Sequence, residues 1–162
     1  MTERPPTADT AGNAEAVAAR KRAMGLLARA TVAELAEPLD RLWPNCEARD
    51  LKPVETGLVM LRGRIGGDGA PFNAGEATVT RAVVELTSGE RGYGHVLGRD
   101  GARARLAAVA DALWQRPDAR DDVEKAILAP VAARLAAEAA KTRAETAATR
   151  VEFFTLVRGE DA

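Results

Sequence analysis

Residues 58–97 read LVMLRGRI-GGDGAPFNAGEA-TVTRAVVEL-TSGER-GYGHVL, and in them the hydrophobic period is two rather than the 3.6 of the flanking chain. From Leu58 to Ile65, Val59, Leu61 and Ile65 alternate with Leu58, Met60, Arg62 and Arg64, and Thr78 to Leu86 is rich in β-branched residues; both stretches predict strands. Ser88-Gly89 supplies a tight turn into a further strand, Gly92 to Leu97, and Glu47 to Lys52 is placed as a short edge strand. The expected centre is an antiparallel meander of three or four strands.

Outward from this block the period is helical. Val17, Met24 and Leu27 recur at helical spacing between Ala14 and Ala30. Thr31-Val32-Ala33-Glu34 is a capping box that starts a second helix, with Leu35, Leu39 and Leu42 on one face and Pro38 predicting a kink or early stop. After Gly101, Leu106, Val109, Ala110 and Leu113 form one apolar stripe, and Pro117-Asp118 is read as a stop and N-cap for the next helix. Val123, Ile127, Val131 and Leu135 continue at four-residue steps, with Pro130 predicting a break near Leu128 or a kink before an Ala-rich helix toward Thr149. Val151 to Arg158 is strand-like. The predicted fold class is α+β: an antiparallel sheet of three to four strands packed with N-terminal and C-terminal helices. Residues 1–13 are read as a disordered tail and residues 14–162 as a single domain.

Composition narrows the chemistry. Hydrophobic residues at 46% and charged residues at 29% are those of a water-soluble globular chain, and no apolar run reaches the ~20 residues of a membrane span. Met1 to Ala14 lacks the apolar core of a secretory signal, so a cytoplasmic location is expected, with no membrane partner. Cys46 is the only cysteine and His95 the only histidine, which excludes an intrachain disulfide, an iron–sulfur cluster and a Cys/His zinc site built by this chain alone; no metal or cofactor is expected on it. A net charge of -1 gives no global attraction to nucleic acid. Lysine is rare beside arginine, a compositional bias that weakens any single Arg as a phosphate signal.

Gly63 to Gly75 holds glycine or proline at six of thirteen positions. A phosphate cradle needs converging backbone N–H groups at the start of a helix, and a P-loop adds Gly-Lys-Ser/Thr. Here a strand pattern follows and Asp68 would repel an anion, so a hairpin loop with special backbone angles is the stronger reading of the two. His95 has no carboxylate near it in sequence, and Cys46 has no nucleophile's constellation around it, so neither is assigned catalysis. Asp100 is the expected N-cap of the helix after Gly98-Arg99. Asp111, Asp121, Asp122 and Glu124 fall at solvent-facing helical phases with no paired arrangement for acid/base work. Phe153 and Phe154 point to opposite faces of an extended segment: either one joins the core while the other meets a partner, or the strand is buried on both sides. No catalytic residue is assigned.

Several of these stretches, in order, carry a family resemblance. They are Glu55-Thr56-Gly57-Leu58-Val59, Gly66-Gly67-x-Gly69, Phe72, Gly75-x-Ala77-Thr78-x-Thr80-Arg81, Gly92-Tyr93, Gly98-Arg99-Asp100 and Arg150-Val151-x-Phe153-Phe154-Thr155-x-Val157-Arg158-Gly159. Together they resemble the G subunit of the carbon–phosphorus lyase, from about Met24 onward and most weakly between Ala132 and Ala148. Pro38 and His95 depart from the pattern. The resemblance implies a core complex of G, H, I and J subunits for phosphonate catabolism. In its first step a phosphonate displaces adenine from MgATP to give a ribose 1-phosphonate 5-triphosphate, a transferase-type reaction. The I subunit is implied as the carrier of that chemistry and the most direct partner, and J as the site of the radical step. This chain is then an accessory, structural subunit that binds no cofactor alone, MgATP being the substrate of the complex. The alternative is a phosphate- or nucleotide-contacting module contributing Arg residues, among Arg62, Arg64, Arg81 and Arg99, to a shared site. The candidate functional or interface residues are Gly66, Gly67, Phe72, Gly75, Thr78, Arg81, Arg99, Asp100, Phe153, Phe154 and Arg158.

Overall fold

The computed structural model describes residues 8–149. Elements run α1 (Ala8–Leu27), α2 (Val32–Leu42), β1 (Ala48–Arg64), β2 (Pro71–Leu86), β3 (Arg91–Leu97), α3 (Gly101–Gln115), α4 (Arg120–Val123), a π-helical turn (Glu124–Leu128) and α5 (Ala129–Ala148). The class is α+β, as the change of period predicts, with one three-stranded antiparallel sheet in the order β1-β2-β3. The edge strand expected at Glu47 to Lys52 is the first part of β1. Register shifts around Lys52, next to Pro53, let one strand run through both segments.

Helix starts follow the sequence closely. Thr31 Oγ1 accepts from the Glu34 N–H and Glu34 Oε2 accepts from the Thr31 N–H, a complete capping box. Asp100 Oδ1 likewise accepts from the Arg103 N–H at the start of α3. Three details differ from expectation. α1 begins at Ala8, so residues 8–13 are helix rather than tail. α2 does not stop at Pro38 but continues to Leu42, with Pro38 buried on its inner face. Asp118 is not a cap, because α4 has Ala119 before it without a side-chain bond, and Asp118 instead pairs with Arg116. At Pro130, where a break near Leu128 or a kink is expected, the chain stays helical and the irregularity is a π turn that ends at Leu128, which accommodates a residue with no N–H to donate.

The core lies between one face of the sheet and the helices. β2 turns Thr80, Ala82, Val84 and Leu86 inward, β3 turns Gly92, Gly94 and Val96 inward, and α3 is buried from Ala107 to Trp114. Here glycine is obligatory for packing. A Cβ on Gly94 would sit 1.9 Å from the Ala104 carbonyl oxygen, and one on Gly92 would sit 1.8 Å from that of Ala108. Strand backbone therefore rests directly on helix backbone, through Gly-x-Gly on β3 and alanines one turn apart on α3.

Asp111, expected at the surface, is wholly buried. Its oxygens accept from Arg20 Nε and Nη2 at 3.1 and 2.7 Å and from the Tyr93 N–H at 2.9 Å, tying α1, α3 and β3 together. Glu124, also expected to face solvent, accepts from Trp114 Nε1 and from Arg22. Val17 departs in the opposite sense: it is exposed, and Ala23, Leu26 and Leu27 supply the buried side of α1, with Ala30 buried just past its end.

The unit through Ala132 ends with Val131 buried. From Ala133 the helix carries ion pairs at four-residue spacing, Arg134 with Glu138 and Lys141 with Glu145, and Thr142 and Thr146 donate to carbonyls one turn back. The strand read at Val151 to Arg158 lies outside the described residues.

Candidate functional site

The glycine-rich block builds the tip of a hairpin. Its turn is shorter than the sequence suggests, spanning Ile65 to Ala70, because β2 already begins at Pro71 and takes Phe72 and Gly75 into a strand. Gly66 and Gly67 adopt φ of 67° and 88°, the left-handed region open to glycine, and the Gly69 N–H donates to the Ile65 carbonyl at 3.1 Å. Gly75, at φ 148°, adjoins a bulge: Leu61 pairs with Gly75 and Arg62 with Asn73, leaving Ala74 as the extra residue.

β3 pairs with β2 only from Val79 to Glu85, so beyond Thr78 the β1–β2 hairpin is a two-stranded arm. From Leu58 to Arg64 it extends roughly 20 Å at a rise of about 3.3 Å per residue. Both faces carry exposed apolar side chains that are uncovered among the described residues. One carries Val59, Leu61 and Phe72; the other carries Leu58 and Met60 together with Arg62, Arg64 and Glu76. Exposure is 62% for Leu58, 54% for Met60, 47% for Leu61 and 45% for Phe72, with Ile65 at 75% at the tip. Isolated two-stranded hairpins are marginal in water, and apolar side chains clustered on one are the signature of a surface that is covered when the molecule works.

The outer face of the sheet continues the Val59–Leu61–Phe72 face toward the base of the arm. Val79 and Leu97 lie next on it, Leu97 being 67% exposed, followed by a row of Glu55, Arg81 and His95. Arg81 is ion-paired with Glu55 at 3.6 Å, both side chains more than half exposed. Further along, Glu85 accepts from Arg91 and Arg49 across all three strands, which holds its carboxyl below the usual range.

The sequence candidates fall into groups. Gly66, Gly67, Phe72 and Gly75 share the arm. Thr78 sits at its base, where its carbonyl accepts from the Gly98 N–H, which brings the Gly98-Arg99-Asp100 segment there as well. Arg81 lies on the outer face. Arg99 is exposed and without a hydrogen bond or ion pair among the described residues, and Asp100 is occupied as a cap. Arg62, Arg64, Arg81 and Arg99 are not drawn to one point: the first two lie on the arm face opposite Arg81's side of the sheet. Phe153, Phe154 and Arg158 lie outside the described residues. Sequence reasoning missed Leu58 to Leu61 as functional candidates. Four apolar residues in succession on a strand need cover on both faces, and that was the available signal.

Elsewhere, Cys46 lines a cavity of about 300 Å³ with Trp43, Leu86, Leu113 and Arg116, and burial pushes its thiol pKa up, away from the reactive thiolate. His95 is exposed on the outer face. Among the described residues no three His, Cys, Asp or Glu side chains are placed to hold a metal ion, and no helix is long and apolar enough to cross a membrane.

Comparison with known proteins agrees with the motif order. The family model described as "Phosphonate metabolism protein PhnG" matches residues 18–159. The alpha-D-ribose 1-methylphosphonate 5-triphosphate synthase subunit PhnG of Rhizobium meliloti (strain 1021) is 54% identical over 161 residues, which is 99% of this chain and 100% of that protein. A match spanning the capped helices, the arm, the sheet and α3 together makes this chain a member of the PhnG family of phosphonate metabolism proteins.

Proposed function

We propose that this chain is an accessory, structural subunit of the synthase named by its relative, docking through its hairpin arm and supporting chemistry carried by a companion subunit. That chemistry, in the carbon–phosphorus lyase reading, is transfer of the ribose triphosphate moiety of MgATP to a phosphonate with displacement of adenine. The I subunit is the direct partner, with H and J in the same cytoplasmic complex. The observation that carries this reading is the arm, whose exposed apolar side chains on both faces are covered by nothing among the described residues.

Co-expression with the companion subunits, size-exclusion chromatography and an adenine-release assay test it. The chain is expected to co-elute and to be required for adenine release, while the purified chain releases none from MgATP and methylphosphonate. Release by the chain alone, or elution apart from an otherwise active complex, refutes the proposal.

A second reading assigns phosphate contact to Arg62 or Arg99, and is favoured by both guanidinium groups lacking a partner among the described residues. Calorimetry of MgATP binding to the complex with Arg62→Ala or Arg99→Ala tests it; unchanged affinity and turnover in both removes it.

A further inference from the structure

Each strand of the sheet bonds its neighbour through alternate residues, so the hydrogen bonds along each edge fix which backbone groups remain open. On β3 the odd-numbered residues face away from β2, and that edge is closed by α3: the Tyr93 N–H donates to Asp111, while the Arg91 and Leu97 carbonyls accept from Gln115 and Arg103. Even-numbered residues of β2 therefore face β3, as the Gly98 N–H on the Thr78 carbonyl confirms, and its odd-numbered residues face β1. On β1, Gly57, Val59 and Leu61 then bond β2 through the pairs with Val79, Ala77 and Gly75. Thr56, Leu58 and Met60 direct N–H and C=O outward. The bulge at Ala74 lies on β2, so the alternation on β1 continues through Arg62 and Arg64.

At its base this edge is closed, because Arg105 donates to the Ala48 carbonyl at 2.8 Å. From Thr56 to Arg64 no group among the described residues closes it. The opposite edge of the arm is interrupted by the bulge at Ala74 and begins with Pro71, which has no donor. Side chains of the open-edge residues share one face: Leu58 and Met60 near the base, with Glu76 of β2 opposite Met60, then Arg62 and Arg64 toward the tip; Arg64 donates to the Gly69 carbonyl at 3.0 Å, and neither arginine is ion-paired among the described residues.

We propose that the edge of β1 from Thr56 to Arg64 receives an extended segment of a companion subunit as a fourth strand, apolar beside Leu58 and Met60 and carrying carboxylates beside Arg62 and Arg64. Unpaired strand edges recruit strands through main-chain bonds, and side-chain pockets then select the sequence. The two positive charges at the tip set register and polarity, since opposite charges across a strand pair attract and like charges repel. The inference rests on the docked-subunit reading above and specifies how the docking is made.

Residue-resolved amide hydrogen exchange, on the isolated chain and on the assembled complex, tests it. In the isolated chain the Leu58 and Met60 amides exchange fast while those of Val59 and Leu61 are protected. In the complex the first pair slows by at least a hundredfold. Met60→Pro is compared with Met60→Ala in the same complex. Proline deletes an open-edge donor and leaves the bonds to β2 intact, so it is expected to weaken assembly at least tenfold beyond alanine. Arg62→Glu weakens assembly comparably. Leu58 and Met60 amides that exchange equally fast in both states overturn the proposal. If Leu61→Ala still weakens assembly in that case, docking by the faces survives and only the edge pairing falls. Protection that appears in the isolated chain on concentration-dependent dimerisation also overturns it, in favour of a second copy of this chain.

Discussion

Enclosure of the arm on both faces has a quantitative consequence that separates it from one-sided contact. Leu58 and Leu61 point to opposite faces. Truncating either to Ala removes three carbon groups, worth ~2.4 kcal/mol when fully buried at about 0.8 kcal/mol each. Leu58 is 62% exposed in the free chain, so docking gains about 1.5 kcal/mol from those groups, and Leu61, 47% exposed, gains about 1.1 kcal/mol. Leu58→Ala should weaken binding to the companion subunits about tenfold and Leu61→Ala about sixfold at ~1.36 kcal/mol per decade. The two should be close to additive, on the order of eightyfold together, if they meet separate surfaces. Affinity is measured by titrating each variant chain into the complex lacking it, with urea melts of the isolated chains to confirm folding. An affinity unchanged in one single variant refutes two-sided enclosure, and unchanged affinity in both refutes the arm as a docking element.

Other expectations follow from the packing. Gly94→Ala forces a methyl against the Ala104 carbonyl, a backbone atom that cannot swing aside, and should cost at least about 3 kcal/mol in a urea unfolding experiment. Gly25→Ala, in α1 with nothing within 4 Å of the added methyl, should instead stabilise by roughly 0.5–1 kcal/mol. Asp111→Ala orphans Arg20 and the Tyr93 N–H; because the Arg20 side chain keeps 31% exposure, the cost falls at the low end of a broken buried pair, about 3 kcal/mol by the same melts. The Glu85 carboxyl, lowered by Arg91 and then Arg49, contributes stability that is present above its unfolded pKa and lost as pH falls through its lower folded value. Glu85→Gln should flatten that acidic part of the stability profile, and the difference from the parent should shrink with added salt.

Much of the fold is legible residue by residue. Thr31 with Glu34 and Asp100 with the Arg103 N–H are caps that the sequence spells out, since both partners lie within one helical turn. The strands around Val59, Val83 and Val96 follow from period two. Pro38 was read by a local rule that tertiary structure overrides, since packing holds α2 together past the missing bond, and at Pro130 the expected irregularity is a π turn that absorbs the second proline. Asp111 was misread because helical phase alone cannot tell a solvent face from one met by an arginine 91 residues away.

By itself, the sequence determines where period two replaces 3.6, where caps and glycine turns stand, the absence of Cys and His sets for metal or redox chemistry in this chain, and, through ordered motifs, the family. Those are matters of covalent composition and of interactions spanning a few residues. Only the tertiary structure decides that Gly92 and Gly94 meet the α3 backbone, that Asp111 closes the β3 edge, and that among the described residues the arm from Leu58 to Phe72 is left bare on both faces with the edge of β1 open. The physical reason is that a strand's pattern records that its faces are apolar but not what covers them. Coverage depends on how far β3 and α3 reach along the hairpin, and β3 pairing with β2 ends at Val79.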